Sequence, residues 1–114
     1  MSRITSHVLD TSLGKPAAGI AVTLSLQEKD GSWKVLGRGV TDADGRVKNL
    51  LPEGSGLAAA TCRLAFETAS YFRARNIQTF FPRVEIEFLV ADATDRYHVP
   101  LLLSPFGYST YRGS

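Results

Sequence analysis

The chain contains only two histidines, His7 and His98, and they lie near its two ends. Neutral imidazole has a pKa near ~6.5, so either ring can take a proton from water at neutral pH. A hydroxyl beside an imidazole can orient it. A guanidinium can stabilise the oxyanion that forms when water adds to a carbonyl. Ser114 and Arg46 are residues of those two types. The last four residues, Tyr111-Arg112-Gly113-Ser114, carry a phenol, a second guanidinium, a hydroxyl and a terminal carboxylate. Such groups bind or polarise a small polar molecule. The chemistry requires three separated segments to converge; otherwise these are two solvated surface histidines.

The elements that must position these groups are mostly strands. Val22, Leu24 and Leu26 alternate with Thr23, Ser25 and Gln27, the period of a half-buried strand. Asp30-Gly31 makes a hairpin turn and Trp33 to Val40 returns beside it. A second Asp-Gly, in Asp42-Ala43-Asp44-Gly45, predicts another hairpin turn before a short strand from Arg46 to Asn49. Leu51 to Gly56 reads as a Pro, Gly and Ser loop. Further strands follow around Cys62 to Phe66, Val84 to Val90, Tyr97 to Leu103 and Tyr108 to Arg112, and Arg3 to Leu9 supplies the first. Residues Thr68 to Asn76 lose the alternation and suit a short helix. About eight short strands with regular turn signals predict an all-β, two-sheet sandwich with one short helix.

Strand parity sorts the candidates, because neighbours point to opposite faces. With Val99, Leu101 and Leu103 facing the core, His98 points outward. With Ile4 and Val8 inward, His7 points outward beside Thr5. Tyr111 and Arg112 fall on opposite faces, so the chain end must bend or its members must serve different roles.

Composition narrows the classes. The 114 residues carry a net charge of +2, with 44% hydrophobic and 21% charged residues, ordinary values for a folded chain of one domain. There is no basic stripe with interleaved aromatics, so no nucleic-acid partner is expected. No apolar run reaches the ~18 residues of a membrane span, and the start has no secretory pattern, so the cytoplasm is expected. The lone Cys62 forms no internal disulfide and, in an alternating apolar run, reads as a buried structural thiol. Ser12-Leu13-Gly14-Lys15 lacks the companion motifs of a serine acyl-enzyme and reads as a loop. Asp42 to Gly45 is too short for a calcium loop. His7, His98 and Asp10 lack zinc-ligand spacing. Gly54-Ser55-Gly56 is followed by no Gly-Lys-Ser/Thr and is not a phosphate loop. Phe80-Phe81 reads as core or interface.

The terminal blocks carry a resemblance. Ile4-Thr5-Ser6-His7-Val8-Leu9-Asp10-Thr11, followed by Gly14-Lys15-Pro16-Ala17-Ala18-Gly19, resembles the opening of transthyretin-like (prealbumin-like) proteins. The block from Tyr97-His98-Val99-Pro100 to Tyr111-Arg112-Gly113-Ser114 is similar to that family's closing segment. Its Tyr-Arg-Gly-Ser ending resembles the hydrolase branch and is missing from the hormone-carrying transthyretins. The likeness runs over 1–114, and Thr11 to Lys15 departs from it only at peripheral positions.

The resemblance implies an eight-stranded two-sheet sandwich whose subunits pair edge to edge. Two pairs then stack into a homotetramer, with active sites at the dimer-dimer interface. It implies hydrolytic opening of 5-hydroxyisourate, a urate oxidation product, to 2-oxo-4-hydroxy-4-carboxy-5-ureidoimidazoline, with no cofactor or metal. By the same resemblance His7, Arg46, His98 and Ser114 are catalytic, and His7, Arg46, Tyr111 and Arg112 bind substrate. One histidine, oriented by the Ser114 hydroxyl, would activate water, and the other would protonate the leaving nitrogen. Arg46 would face the oxyanion, with Arg112 as second candidate. A carrier without chemistry and a purely structural sandwich are the rival readings.

Overall fold

A computed structural model describes residues 3–52, 54 and 57–114. Met1, Ser2, Glu53, Ser55 and Gly56 lie outside the described residues, so the expected loop over 51–56 is described only in part. The strands are β1 (Ile4–Asp10), β2 (Lys15–Pro16), β3 (Ala21–Gln27), β4 (Trp33–Val40), β5 (Arg46–Val47), β6 (Ala60–Phe66), β7 (Val84–Val90), β8 (Tyr97–Ser104) and β9 (Gly107–Thr110). A single helix among the described residues, α1 (Thr68–Arg73), separates β6 from β7. Every strand expected from alternation is present. The two-residue β2 is added, β5 is shorter than expected, and the last strand stops at Thr110 instead of Arg112.

The strands form two sheets. One has the order β4-β3-β6-β7. The other has the order β2-β1-β8-β9, with β5 paired to β1 beside β2. Alternation fills the space between them. Ile4, Val8, Leu24, Leu64, Phe66, Val84 and Leu101 are fully buried. Each such side chain contributes roughly 1.5–3 kcal/mol when taken from water. The period breaks in β3, where the β3–β4 register shifts between Leu24 and Ser25 and both residues become buried, and in β8, where Pro100 is buried between Val99 and Leu101.

The Asp42-Ala43-Asp44-Gly45 turn corrects the hairpin expected there. Its flanking strands belong to different sheets, so it carries the chain from one layer to the other. Asp42 N–H donates to Arg46 O at 3.0 Å, and Asp42 Oδ1 accepts from Asp44 N and Arg46 N at 2.9 and 3.0 Å. Gly45 has φ 74°, and an added Cβ would lie 2.4 Å from Val8 O. Only glycine permits that approach. Val8 N–H then donates to Gly45 O at 2.8 Å, which seats β5 on β1. The turn chemistry was local and legible; the sheet that each flank joins was not.

The other end of β1 is held by burial of charge. Asp10 is fully buried and accepts hydrogen bonds from Ser12 N (3.0 Å), Ser12 Oγ (2.5 Å) and Tyr71 OH (2.7 Å). Burial alone would raise its carboxyl, but these donors outweigh burial and hold its pKa below the ordinary value. Burial, reinforced by the Asp10 carboxylate, pushes the Tyr71 phenol up to about 12. The bond ties α1 to β1 and leaves the strand little freedom to slide.

Candidate active site

Strand order brings distant residues together. Strands β1 and β8 run parallel, with Thr5 opposite His98 and His7 opposite Pro100. On the other side of β1, His7 is opposite Arg46 of β5. Neighbouring strands lie about 4.8 Å apart, so outward side chains at these positions share one patch of sheet. Parity holds as expected: the residues flanking His7 and His98 on their own strands are buried, and both histidines are half-buried on the outer face.

A cleft of about 350 Å³ opens on this face. Thr5, Arg46, Lys48, His98 and Ser114 line it, with Arg3 at its wall. His7 is not among the lining residues, but its charge acts on His98. Burial, then the charges of His7 and Arg46, lower the His98 pKa from its ordinary 6.5. These influences favour the neutral form of the His98 ring. The fold thus gathers His7, Arg46, His98 and Ser114 at one place.

The chain end bends to reach it. After β9 the backbone leaves the sheet at Tyr111 and Arg112 and returns at Gly113, whose N–H donates to His98 O at 2.8 Å. A Cβ added at Gly113 would lie 2.5 Å from His98 Cδ2 and 3.2 Å from Pro100 Cγ. The glycine lets the backbone lie against the imidazole edge. Tyr111 and Arg112 do not line the cleft. Tyr111 is exposed, whereas the Arg112 guanidinium sits 4.7 Å over the Tyr97 ring and donates to Asp95 Oδ2 at 3.2 Å.

Strand alternation alone does not mark one further functional candidate, Thr5. Thr5 Oγ1 is hydrogen-bonded to His98 Nδ1 at 2.8 Å, so Thr5, and not Ser114, is the hydroxyl on that ring. The signal was present: Thr5 is two residues from His7 and shares its face. Lys48 bears the same relation to Arg46. Among the described residues no three His, Cys, Asp or Glu side chains converge as metal ligands. Burial pushes the Cys62 thiol up to about 11, so it is not a poised nucleophile.

Fold and site together define a two-sheet β-sandwich with a histidine- and arginine-bearing cleft on the outer face of one sheet. The chain belongs to the HIUase/Transthyretin family, whose model matches residues 4–113. It is 48% identical to a 5-hydroxyisourate hydrolase of Salmonella dublin over 111 residues, covering 97% of this chain and 80% of that protein. The 5-hydroxyisourate hydrolase structure from Klebsiella pneumoniae matches with a TM-score of 0.83 and 35% identity, over 97% of this chain and 98% of that one. Sea bream transthyretin, solved in complex with thyroxine, matches with a TM-score of 0.90 and 32% identity, over 98% and 95%. No described helix is long and apolar enough to cross a membrane.

Proposed function

We propose that this protein hydrolyses 5-hydroxyisourate to 2-oxo-4-hydroxy-4-carboxy-5-ureidoimidazoline, a step of urate catabolism. The observation that carries the reading is the convergence of His98, Arg46 and Ser114 on one cleft, with His7 beside it, in a chain so similar to hydrolases of that name. One imidazole takes a proton as the water oxygen bonds to the ring carbonyl carbon. Arg46 faces the negative charge that develops on the carbonyl oxygen. The carbon–nitrogen bond then breaks, and the other imidazole protonates the departing nitrogen. General acid–base assistance of this kind is worth about 10²–10⁴ in rate, and an oxyanion donor about 3 kcal/mol.

Ser114 lines the cleft as a polar contact for substrate or water. Tyr111 and Arg112 contribute from its margin, in the assembled protein, as substrate-binding groups. The exposed apolar residues Phe80, Leu89 and Phe106, between 68% and 71% accessible in the single chain, support assembly. So do the open edges at β4 and β7. We infer a homotetramer of edge-paired dimers, with the cleft at the dimer-dimer interface. A single reduced cysteine suits the cytoplasm.

The likeness to a thyroxine complex favours a carrier as the second reading. It is disfavoured by the cleft itself, because its guanidinium and imidazole groups lose water when an apolar ligand covers them, which lowers affinity. Ultraviolet decay of freshly generated 5-hydroxyisourate, with and without protein and against spontaneous breakdown, separates the two. Acceleration at catalytic protein concentration is expected. A rate equal to spontaneous breakdown rejects the hydrolase.

A further inference from the structure

We propose that Thr5 is a positioning residue for His98, fixing the ring tautomer and rotation so that Nε2 is the nitrogen that works in the cleft. This deepens the hydrolase reading and rests on it for its catalytic consequence. The geometric basis is independent of that reading.

The His98 ring is held on both sides of Cγ. On one side Nδ1 is bonded to Thr5 Oγ1 at 2.8 Å. On the other, Cδ2 lies against Gly113, where an added Cβ would come within 2.5 Å. The backbone beneath is clamped by the parallel β1–β8 register and by the Gly113 N–H bond to His98 O. Only the distal end of the ring, carrying Nε2, remains for an occupant of the cleft. No described hydrogen bond uses that nitrogen.

A neutral imidazole has one donor and one acceptor nitrogen, and the bond at Nδ1 selects which is which. If Thr5 accepts from Nδ1–H, Nε2 presents a lone pair and can take a proton from water. If Thr5 donates to Nδ1, Nε2 carries the hydrogen and can donate to substrate. In both cases one tautomer dominates. Free rotation of the ring is suppressed, which preserves the near-attack geometry that oriented catalysis requires. The surrounding charges make this selection matter. Burial and the charges of His7 on β1 and Arg46 on β5 disfavour the doubly protonated ring, and Lys48, Arg3 and Arg96 also line the cleft.

The test uses the full-length protein labelled with ¹⁵N-histidine, with His98→Asn assigning the signals. Ring ¹⁵N shifts are read without substrate, so they report on Thr5 whether or not the protein turns over 5-hydroxyisourate. The wild type is expected to show one dominant neutral tautomer at His98, and Thr5→Val to show averaging of the two nitrogens. In turnover, Thr5→Val is expected to lower kcat about tenfold, the loss of one hydrogen bond, with KM changed less than about twofold. Thr5→Ser, which keeps the hydroxyl, is expected to restore both the tautomer and kcat to within about twofold. Unchanged His98 shifts in Thr5→Val overturn the proposal, whatever happens to kcat. Equal losses in the serine and valine variants also overturn it, since the methyl and not the hydroxyl would then matter.

Discussion

The two outer sheet faces of this molecule use the same residue types to different ends. On the β4-β3-β6-β7 sheet the arginines around β6 and β7 are paired. Arg83 Nε meets Glu67 at 2.7 Å and its Nη1 lies 3.8 Å from Glu85. Arg63 lies 3.9 Å from Glu85 and 4.1 Å over the Trp33 ring. On the other sheet, none of the described ion pairs involves Arg46 or Lys48, and His98 is held by a neutral hydroxyl. Outward parity is common to both faces. What sets the cleft apart is its concavity, with Arg46 and Lys48 in no described ion pair beside a half-buried His98. Uncompensated cations in a concave setting attract and stabilise negative charge, whereas paired ones contribute little beyond solubility.

The strongest way to break this contrast is to remove a group from each face. His98→Asn is expected to lower ring-opening activity about 10²–10⁴-fold, measured as ultraviolet decay of 5-hydroxyisourate, while circular dichroism shows an intact sheet structure. Arg63→Gln on the opposite face should leave the rate within about twofold of wild type, as surface substitutions away from a site do. Comparable losses in both variants would erase the distinction. Next in size, Arg46→Gln should reduce kcat about 10²-fold, the cost of one oxyanion donor, with normal thermal unfolding. Retention of full kcat would remove Arg46 from the chemistry.

Gly113→Ala sharpens the contrast by keeping every charge and moving one ring. The new methyl meets His98 Cδ2 and, beyond it, Pro100, so the ring must shift. A kcat loss of about tenfold is expected, and overpacking costs about 1–3 kcal/mol in urea unfolding. Wild-type turnover in this variant would show that the chain end does not hold the imidazole.

The smallest effect is titrational. Burial, His7 and Arg46 lower the His98 pKa, so the ring should titrate below 6.5 when followed by NMR. Because the unfolded ring binds protons at higher pH than the folded one, this histidine's contribution to stability is fully present above pH ~6.5 and is lost as pH falls toward the folded pKa. The acid limb of the rate profile should fall in the same window. Arg46→Gln should move the NMR midpoint upward; an unmoved midpoint would separate the guanidinium from the ring.

Much of the fold was legible along the chain. The alternation at Val84, Ile86, Phe88 and Val90, or at Val99, Leu101 and Leu103, states strand and face together, because period two has a single structural meaning on a half-buried sheet. It also placed His7 and His98 outward. The Asp44-Gly45 turn shows the limit: its residues specify a turn, while pairing of β5 with β1 depends on Val8 and Gly45 meeting across a gap in sequence.

From the order of its residues alone, this protein has its strands, the inward and outward sides of each, and the chemical types available at the site. Those properties arise from covalent neighbours and from burial of every second side chain. Which outward residues become neighbours was decided only by tertiary structure. The parallel β1–β8 register sets Thr5 against His98, the sheet-switching turn sets Arg46 beside His7, and the returning chain end lays Gly113 on the imidazole. The reason is physical: hydrogen-bonded register between strands is a property of pairs of segments, and no periodicity within one segment encodes its partner.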